Sequence, residues 1–237
     1  MTGEKQHEGP QFYGRRHGHK LRPNRQALIN DLLPRLRVSL PAGGQPLDLA
    51  ATFAAPVSDL WLEVGFGGGE HLAAQAAVHP DIGFIGCEPF VNGVANLLSL
   101  IECGGLTNVR IFDDDVRKLF PVLADACFGR IVALFTDPWP KKKHHRRRFI
   151  SDDTVAQLVR LLKDNGEIRL ASDHMGYVDW MLDHLTARDE LTWRARSKHD
   201  WSAPPSDWVE TRYERKARAK GNHPAYLCLS RRPRPPA

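Results

Sequence analysis

A short apolar run, residues 58–65 (SDLWLEVG), ends in glycine. Phe66-Gly67-Gly68-Gly69 follows at once, and then a helix-like stretch, GEHLAAQAAVH (69–79), stopped by Pro80. An apolar run of this length bounded by glycines reads as a buried strand. Glycines at a strand-to-helix turn let the backbone approach a ligand closely, and the helix N-terminus beyond them favours an anion. The same alternation continues along the chain. Strands are expected at 82–89, 108–115, 130–137 and 166–173, and helices at 90–103, 151–166 and 175–185. Runs 191–196 and 225–232 read as an antiparallel edge pair. Strands alternating with helices give an α/β fold with a mainly parallel sheet.

In such sheets a ligand sits outside the carboxyl ends of the strands. Those ends here are glycine-rich or acidic: Gly65, Glu88, Asp115, Asp137 and Asp173. The dinucleotide pattern G-x-G-x-x-G is not met, because its third glycine position holds Glu70. The arrangement Glu63-x-Gly65-x-Gly67-x-Gly69 is instead similar to the first motif of the Rossmann-like methyltransferases. Glu88, about 20 residues past the glycine loop, is placed to accept hydrogen bonds from ribose hydroxyls, a device nicotinamide enzymes share. Asp115 can take an adenine amino group, with Asp113 and Asp114 as competitors.

After the fourth strand comes Phe135-Thr-Asp137-Pro-Trp-Pro-Lys141-Lys-Lys-His-His-Arg-Arg-Arg148. It closely resembles the DPWPK-x-[KR]-H-x-[KR]-R-R signature of the bacterial tRNA (guanine-N7)-methyltransferases. Thr211-Arg-Tyr213-Glu214-Arg-Lys216, with Gly221 beyond it, resembles that family's second signature, T-x-[YF]-E-x-K…G. The resemblance covers roughly residues 58–230. It implies a Rossmann-like domain that uses S-adenosyl-L-methionine to methylate N7 of a guanosine in the tRNA variable loop. Glu63, Gly65, Gly67, Gly69, Glu88, Asp115 and Asp137 would bind the cofactor, with Asp137 as the central acid. Lys141, Asp173, Thr211, Arg212, Tyr213 and Glu214 would contact the substrate. Lys143, His144, His145, Arg146, Arg147 and Arg148 would hold RNA.

The chemistry is consistent with this set. Guanine N7 has a lone pair and no proton, so no strong base is needed, and catalysis rests on positioning and charge placement. A carboxylate can stabilise the positive charge left on the purine, or accept from guanine N1–H and N2–H₂. Asp137, with Asp173 or Glu214, is expected to do one or both.

Charge distribution points the same way. The net charge is only +5, but basic residues cluster at 12–25, 141–148 and 211–220 with Phe12, Tyr13, Phe149 and Tyr213 interleaved. That is the pattern of a polyanion surface. Residues 1–25 read as a basic, mobile segment, 26–57 as a short helix and connector, and 58–237 as the methyltransferase domain. No apolar stretch is long enough to span a membrane, and no secretory signal is visible. The four cysteines form no C-x-x-C pair, so no metal site is expected, and Cys87 and Cys228 read as small core residues in a cytoplasmic protein. No feature calls for a partner protein. The rivals are an amino-group N-methyltransferase, which would carry [DN]-P-P-[YFW] where Trp139 breaks the pattern, a nicotinamide oxidoreductase, and a non-catalytic RNA-binding module.

Overall fold

The apolar runs singled out in the sequence lie side by side. In the computed structural model, which describes residues 12–235, they form β1 (Asp59–Val64), β2 (Ile82–Cys87), β3 (Val109–Phe112), β4 (Phe128–Leu134), β5 (Leu162–Ser172), β6 (Leu191–Trp193) and β7 (Ala225–Arg231). Their order in the sheet is β3-β2-β1-β4-β5-β7-β6. The first five are parallel, whereas β7 runs antiparallel to both β5 and β6. The helices are α1 (Pro23–Asp31), α2 (Leu33–Leu36), α3 (Glu70–Val78), α4 (Val91–Gly104), α5 (Asp152–Leu161), α6 (Met175–Thr186), α7 (His199–Ser202) and α8 (Arg212–Ala219).

Side chains alternate across the strands, so both faces of the sheet must be covered. Ile82 and Phe84 of β2 pack with Leu72 of α3 and Leu97, Leu98 and Ile101 of α4. Their neighbour Ile85 points the other way, into a core with Leu62, Ile131, Val155, Leu158 and Met181. Leu97 and Leu98 are fully buried, a burial that stabilises by about 1.5–3 kcal/mol for each side chain. Cys87 is likewise a core residue, whereas Cys228 is only half-buried.

Several boundaries differ from the sequence expectation; the third strand stops at Phe112, so Asp115 stands in the loop beyond it. The helix expected over 151–166 ends at Leu161, and β5 starts at Leu162 with a register shift against β4. Asn165 (φ 62°) sits within that irregular stretch. The start of this helix is as expected: the Ser151 side chain accepts from Thr154 N, and Thr154 reciprocates, a capping box worth about 1 kcal/mol. The fourth strand stops at Leu134, so Asp137 stands in the loop beyond it. α8 was not anticipated as a helix.

The basic segment expected to be mobile is tied down from residue 12 onward; residues 1–11 lie outside the described part. Val91 N donates to Arg16 O (2.9 Å), Gly18 N to Asn92 Oδ1 (2.8 Å), and Asn92 Nδ2 to His19 O (2.7 Å). Arg16 also pairs with Asp114 at 2.6 Å. The chain then enters α1, whose Pro23 takes a first-turn position where the missing N–H costs nothing. Among the described residues, no helix is long and apolar enough to cross a membrane.

Candidate functional site

The chain leaves β1 toward β2 on one side and β4 toward β5 on the other. That reversal opens a crevice at the strands' carboxyl ends, and here it holds a cavity of about 700 Å³. Pockets for small organic ligands span about 300–1,000 Å³.

The glycine loop forms one wall. Gly67 (φ 57°) and Gly69 (φ 78°) take left-handed conformations that disfavour any side chain. Space is short as well: a Cβ on Gly69 would stand 2.8 Å from Leu97, and one on Gly67 3.1 Å from the Tyr213 ring. Gly93 in α4 matters equally, since its Cβ would meet the Gly67 carbonyl oxygen at 2.1 Å. Sequence reasoning missed Gly93, because a glycine inside a helix carries no signal of what approaches it.

Glu88 is buried at the end of β2. Its Oε2 accepts from Gly67 N (2.8 Å) and its Oε1 from Phe90 N (2.9 Å). Burial raises its pKa, the two backbone N–H groups oppose the rise, and Asp137 adds to it. Each oxygen keeps a second lone pair, so the carboxylate can shape the loop and still meet a hydroxyl. Asp115 also lines the cavity, but both its oxygens are engaged by Arg117, whose backbone N–H and guanidinium it accepts. Its competitor Asp114 lines the cavity too and pairs with Arg16 and Lys118. Asp113 pairs with Arg37 and is not part of the lining.

Asp137 stands at the opposite wall. No hydrogen bond or ion pair reaches its carboxylate among the described residues. The side chain is open to solvent at the mouth of the cavity, yet the protein around it displaces enough water to raise its pKa. The loop that carries it is strained and braced. Phe135 (φ 52°) and Trp139 (φ 40°) are both left-handed, which costs on the order of 1–3 kcal/mol for each such residue. Pro138 disfavours the helical region for Asp137. Phe135 N donates to Ala171 O (2.8 Å), Thr136 Oγ1 bonds Tyr177 OH (3.1 Å), and Arg148 Nε donates to Pro138 O (2.9 Å).

The basic run divides in two. Lys141, Lys142, Lys143 and Arg146 are exposed around a 3-10 turn, Lys142–Arg147. Arg148, read from the sequence as an RNA contact, is instead 5% exposed and lies over the Tyr177 and Trp180 rings. It holds the Asp137 loop. His144 and His145 set their rings edge-on against Trp139 and Trp180. Arg147 stacks between Tyr13 (4.8 Å) and Trp139 (4.9 Å). Tyr13 belongs to the segment Phe12–Arg15, which completes the cavity wall. That segment is polar and glycine-rich, and nothing in its composition announces the role.

The second signature also divides. Thr211 caps α8, its hydroxyl accepting from Glu214 N at 3.1 Å, and both Thr211 and Tyr213 line the cavity. Arg212 stands over the Tyr213 ring and 3.7 Å from Glu70. Glu214, expected to touch substrate, is 1% exposed. Its Oε2 accepts from Trp208 Nε1 (2.6 Å), and its Oε1 from Tyr226 OH and Arg218. Successive helical residues turn about 100°, so the turn that presents Tyr213 outward drives Glu214 into the core. Asp173 accepts from Asn222 Nδ2 (2.8 Å) outside the cavity lining, and Lys141 is outside it as well.

Residues 58–227 match the family described as "Putative methyltransferase". The chain is 51% identical to a tRNA (guanine-N(7)-)-methyltransferase of Rhodospirillum rubrum, over 98% of this chain and 91% of that protein. It is 48% identical to the protein of the same description from Paramagnetospirillum magneticum, over 96% and 95%. Among solved structures, the 16S rRNA methyltransferase KamB superposes with a TM-score of 0.55 at 14% identity, over 75% of this chain and 89% of that one. That likeness shows the fold, a Rossmann-like methyltransferase core. Identity sustained across nearly the whole chain, together with both signatures arranged about one cavity, shows that the chain belongs to the tRNA (guanine-N7)-methyltransferase family.

Proposed function

We propose that this protein transfers the methyl group of S-adenosyl-L-methionine to N7 of a guanosine in the variable loop of tRNA, in the cytoplasm. One observation carries the reading. An unpaired carboxylate, Asp137, stands at the mouth of the cavity on a braced loop that runs directly into an exposed basic turn. The cavity suits the cofactor. Glu88 would meet the ribose hydroxyls, and the glycine loop would border the methionine end. Bound there, the cofactor supplies a sulfonium that makes its methyl group electrophilic.

The protein's part is positioning and charge. The guanine N7 lone pair forms the new N–C bond as the S–C bond breaks, and the purine gains positive charge. Of Asp137, Asp173 and Glu214, only Asp137 lines the cavity, so the charge-stabilising role falls to it. A carboxylate aimed at developing charge is typically worth about 10²-fold or more in rate. Tyr213 and Thr211 border the space the base would enter. Lys142, Lys143 and Arg146 hold the phosphates beside it.

The test uses unmodified tRNA and methyl-labelled cofactor, followed by digestion to nucleosides. Labelled 7-methylguanosine is the expected product. Label in an adenosine, or none at all, overturns the reading.

A further inference from the structure

Glu63, at the end of β1, lines the cavity and is almost fully buried. Its only partner among the described residues is His71 of α3. His71 Nδ1 lies 2.7 Å from Glu63 Oε2, with 4% and 7% of the two side chains exposed. A carboxylate accepts and never donates, so the ring proton sits on Nδ1. The other ring nitrogen, Nε2, is buried without a partner among the described residues. The ring lies 5.6 Å from that of Trp208. The loop carrying Trp208 is pinned one turn further along α3, where Gln75 Nε2 donates to Asp207 O (2.7 Å). It is pinned again where Asp207 bridges Arg130 and Arg169.

A histidine in this place leaves one of its polar atoms unbonded, and an apolar side chain would pack there without that loss. What it provides is a fixed N–H for one oxygen of Glu63. The second oxygen, Oε1, has no protein partner among the described residues. We propose that His71 is a positioning residue for the cofactor: by holding Oε2 it aims Oε1 of Glu63 into the cavity, to receive the α-ammonium of S-adenosylmethionine. This rests on the reading of Glu63 as a cofactor-binding residue. The arrangement gives the ammonium of the methionine end a partner of its own in Glu63.

Two ligands test it by calorimetry. S-adenosylhomocysteine carries the ammonium; 5′-deoxy-5′-(3-carboxypropylthio)adenosine has the same adenosine and carboxylate without it. His71→Leu keeps an apolar side chain against Trp208, and His71→Asn restores an N–H near Nδ1. His71→Leu is expected to weaken S-adenosylhomocysteine binding by about tenfold or more, the range for a lost bond to a charged group. The ammonium-free analogue should bind within about twofold of wild type, and His71→Asn should recover most of the loss. Glu63→Gln should show the same selective loss. If Glu63→Gln is selective but His71→Leu, or His71→Ala should leucine prevent folding, weakens both ligands equally, His71 only packs the core and the proposal fails. If Glu63→Gln itself does not discriminate the two ligands, the reading of Glu63 fails first.

Discussion

Replacing Lys142, Lys143 and Arg146 together with alanine removes the exposed cations of the 3-10 turn and leaves the loop's internal contacts intact, because none of the three braces it. Each phosphate contact contributes about 0.7–0.9 to the slope of log affinity against log salt. Losing three should flatten that slope by about 2–3. Between about 50 and 200 mM salt, a fourfold change, wild-type affinity should therefore fall about 20–40 times more than that of the triple variant. Filter binding or fluorescence anisotropy with full-length tRNA across that range reads the slope directly, and cofactor affinity should not move. Arg148→Ala is the contrasting control. Its guanidinium bonds Pro138 O and covers two rings. Its loss should cost about 2 kcal/mol of stability, as for a hydrogen bond to a charged group, or about 4–8 °C in Tm for a chain of this size. The salt slope should be unchanged. An unaltered slope in the triple variant, or a flattened one in Arg148→Ala, would refute this division of the basic run.

Glu88→Ala removes the acceptor for Gly67 N and Phe90 N as well as the ribose partner. Cofactor affinity should fall about 10- to 150-fold while tRNA affinity in a gel shift stays near wild type; equal losses would contradict the assignment. Gly93→Ala drives a Cβ against the Gly67 carbonyl oxygen, backbone that cannot swing aside. It should cost about 1–3 kcal/mol in stability, as overpacking does, and weaken S-adenosylhomocysteine binding; unchanged affinity would mean the glycine loop tolerates displacement. The raised pKa of Asp137 sets the acid limb of activity. The ionised carboxylate is the working form and is present above that pKa, so at saturating cofactor kcat should begin to fall, as pH drops, above the ordinary aspartate value of about 3.9. A limb at or below that value would argue against the role.

The parallel sheet was legible because buried strands read as unbroken apolar runs between glycine and acid. The site's location was legible because ligands gather at the carboxyl ends of such strands, where Glu88, Asp115 and Asp137 stand. What the sequence hid is the direction each side chain takes once the backbone bends. Arg147 and Arg148 are adjacent and chemically alike, yet one stacks in the cavity wall and the other is buried under the loop. Tyr213 and Glu214 diverge for the same reason. The segment 12–22 hid for another. Its contacts use backbone groups, Asn92, one ion pair to Asp114 and the Tyr13 ring against Arg147, and scattered contacts of that kind leave no periodic trace. His71, one residue into α3 beyond Glu70, looks like any polar helix position until Trp208 closes over it.

The central claim is that the carboxylate of Asp137 drives methyl transfer. Asp137→Asn keeps the shape, removes the charge and turns one acceptor oxygen into an NH₂ donor. Single-turnover methylation of tRNA, at saturating enzyme and cofactor, isolates the chemical step from binding and release. The substituted protein should melt within about 2 °C of wild type, since no protein partner is lost and one kcal/mol is worth about that much. It should bind S-adenosylhomocysteine and tRNA near normally and methylate at least about 10²-fold more slowly. A single-turnover rate close to wild type would contradict the account and move the search for the acid back to Asp173.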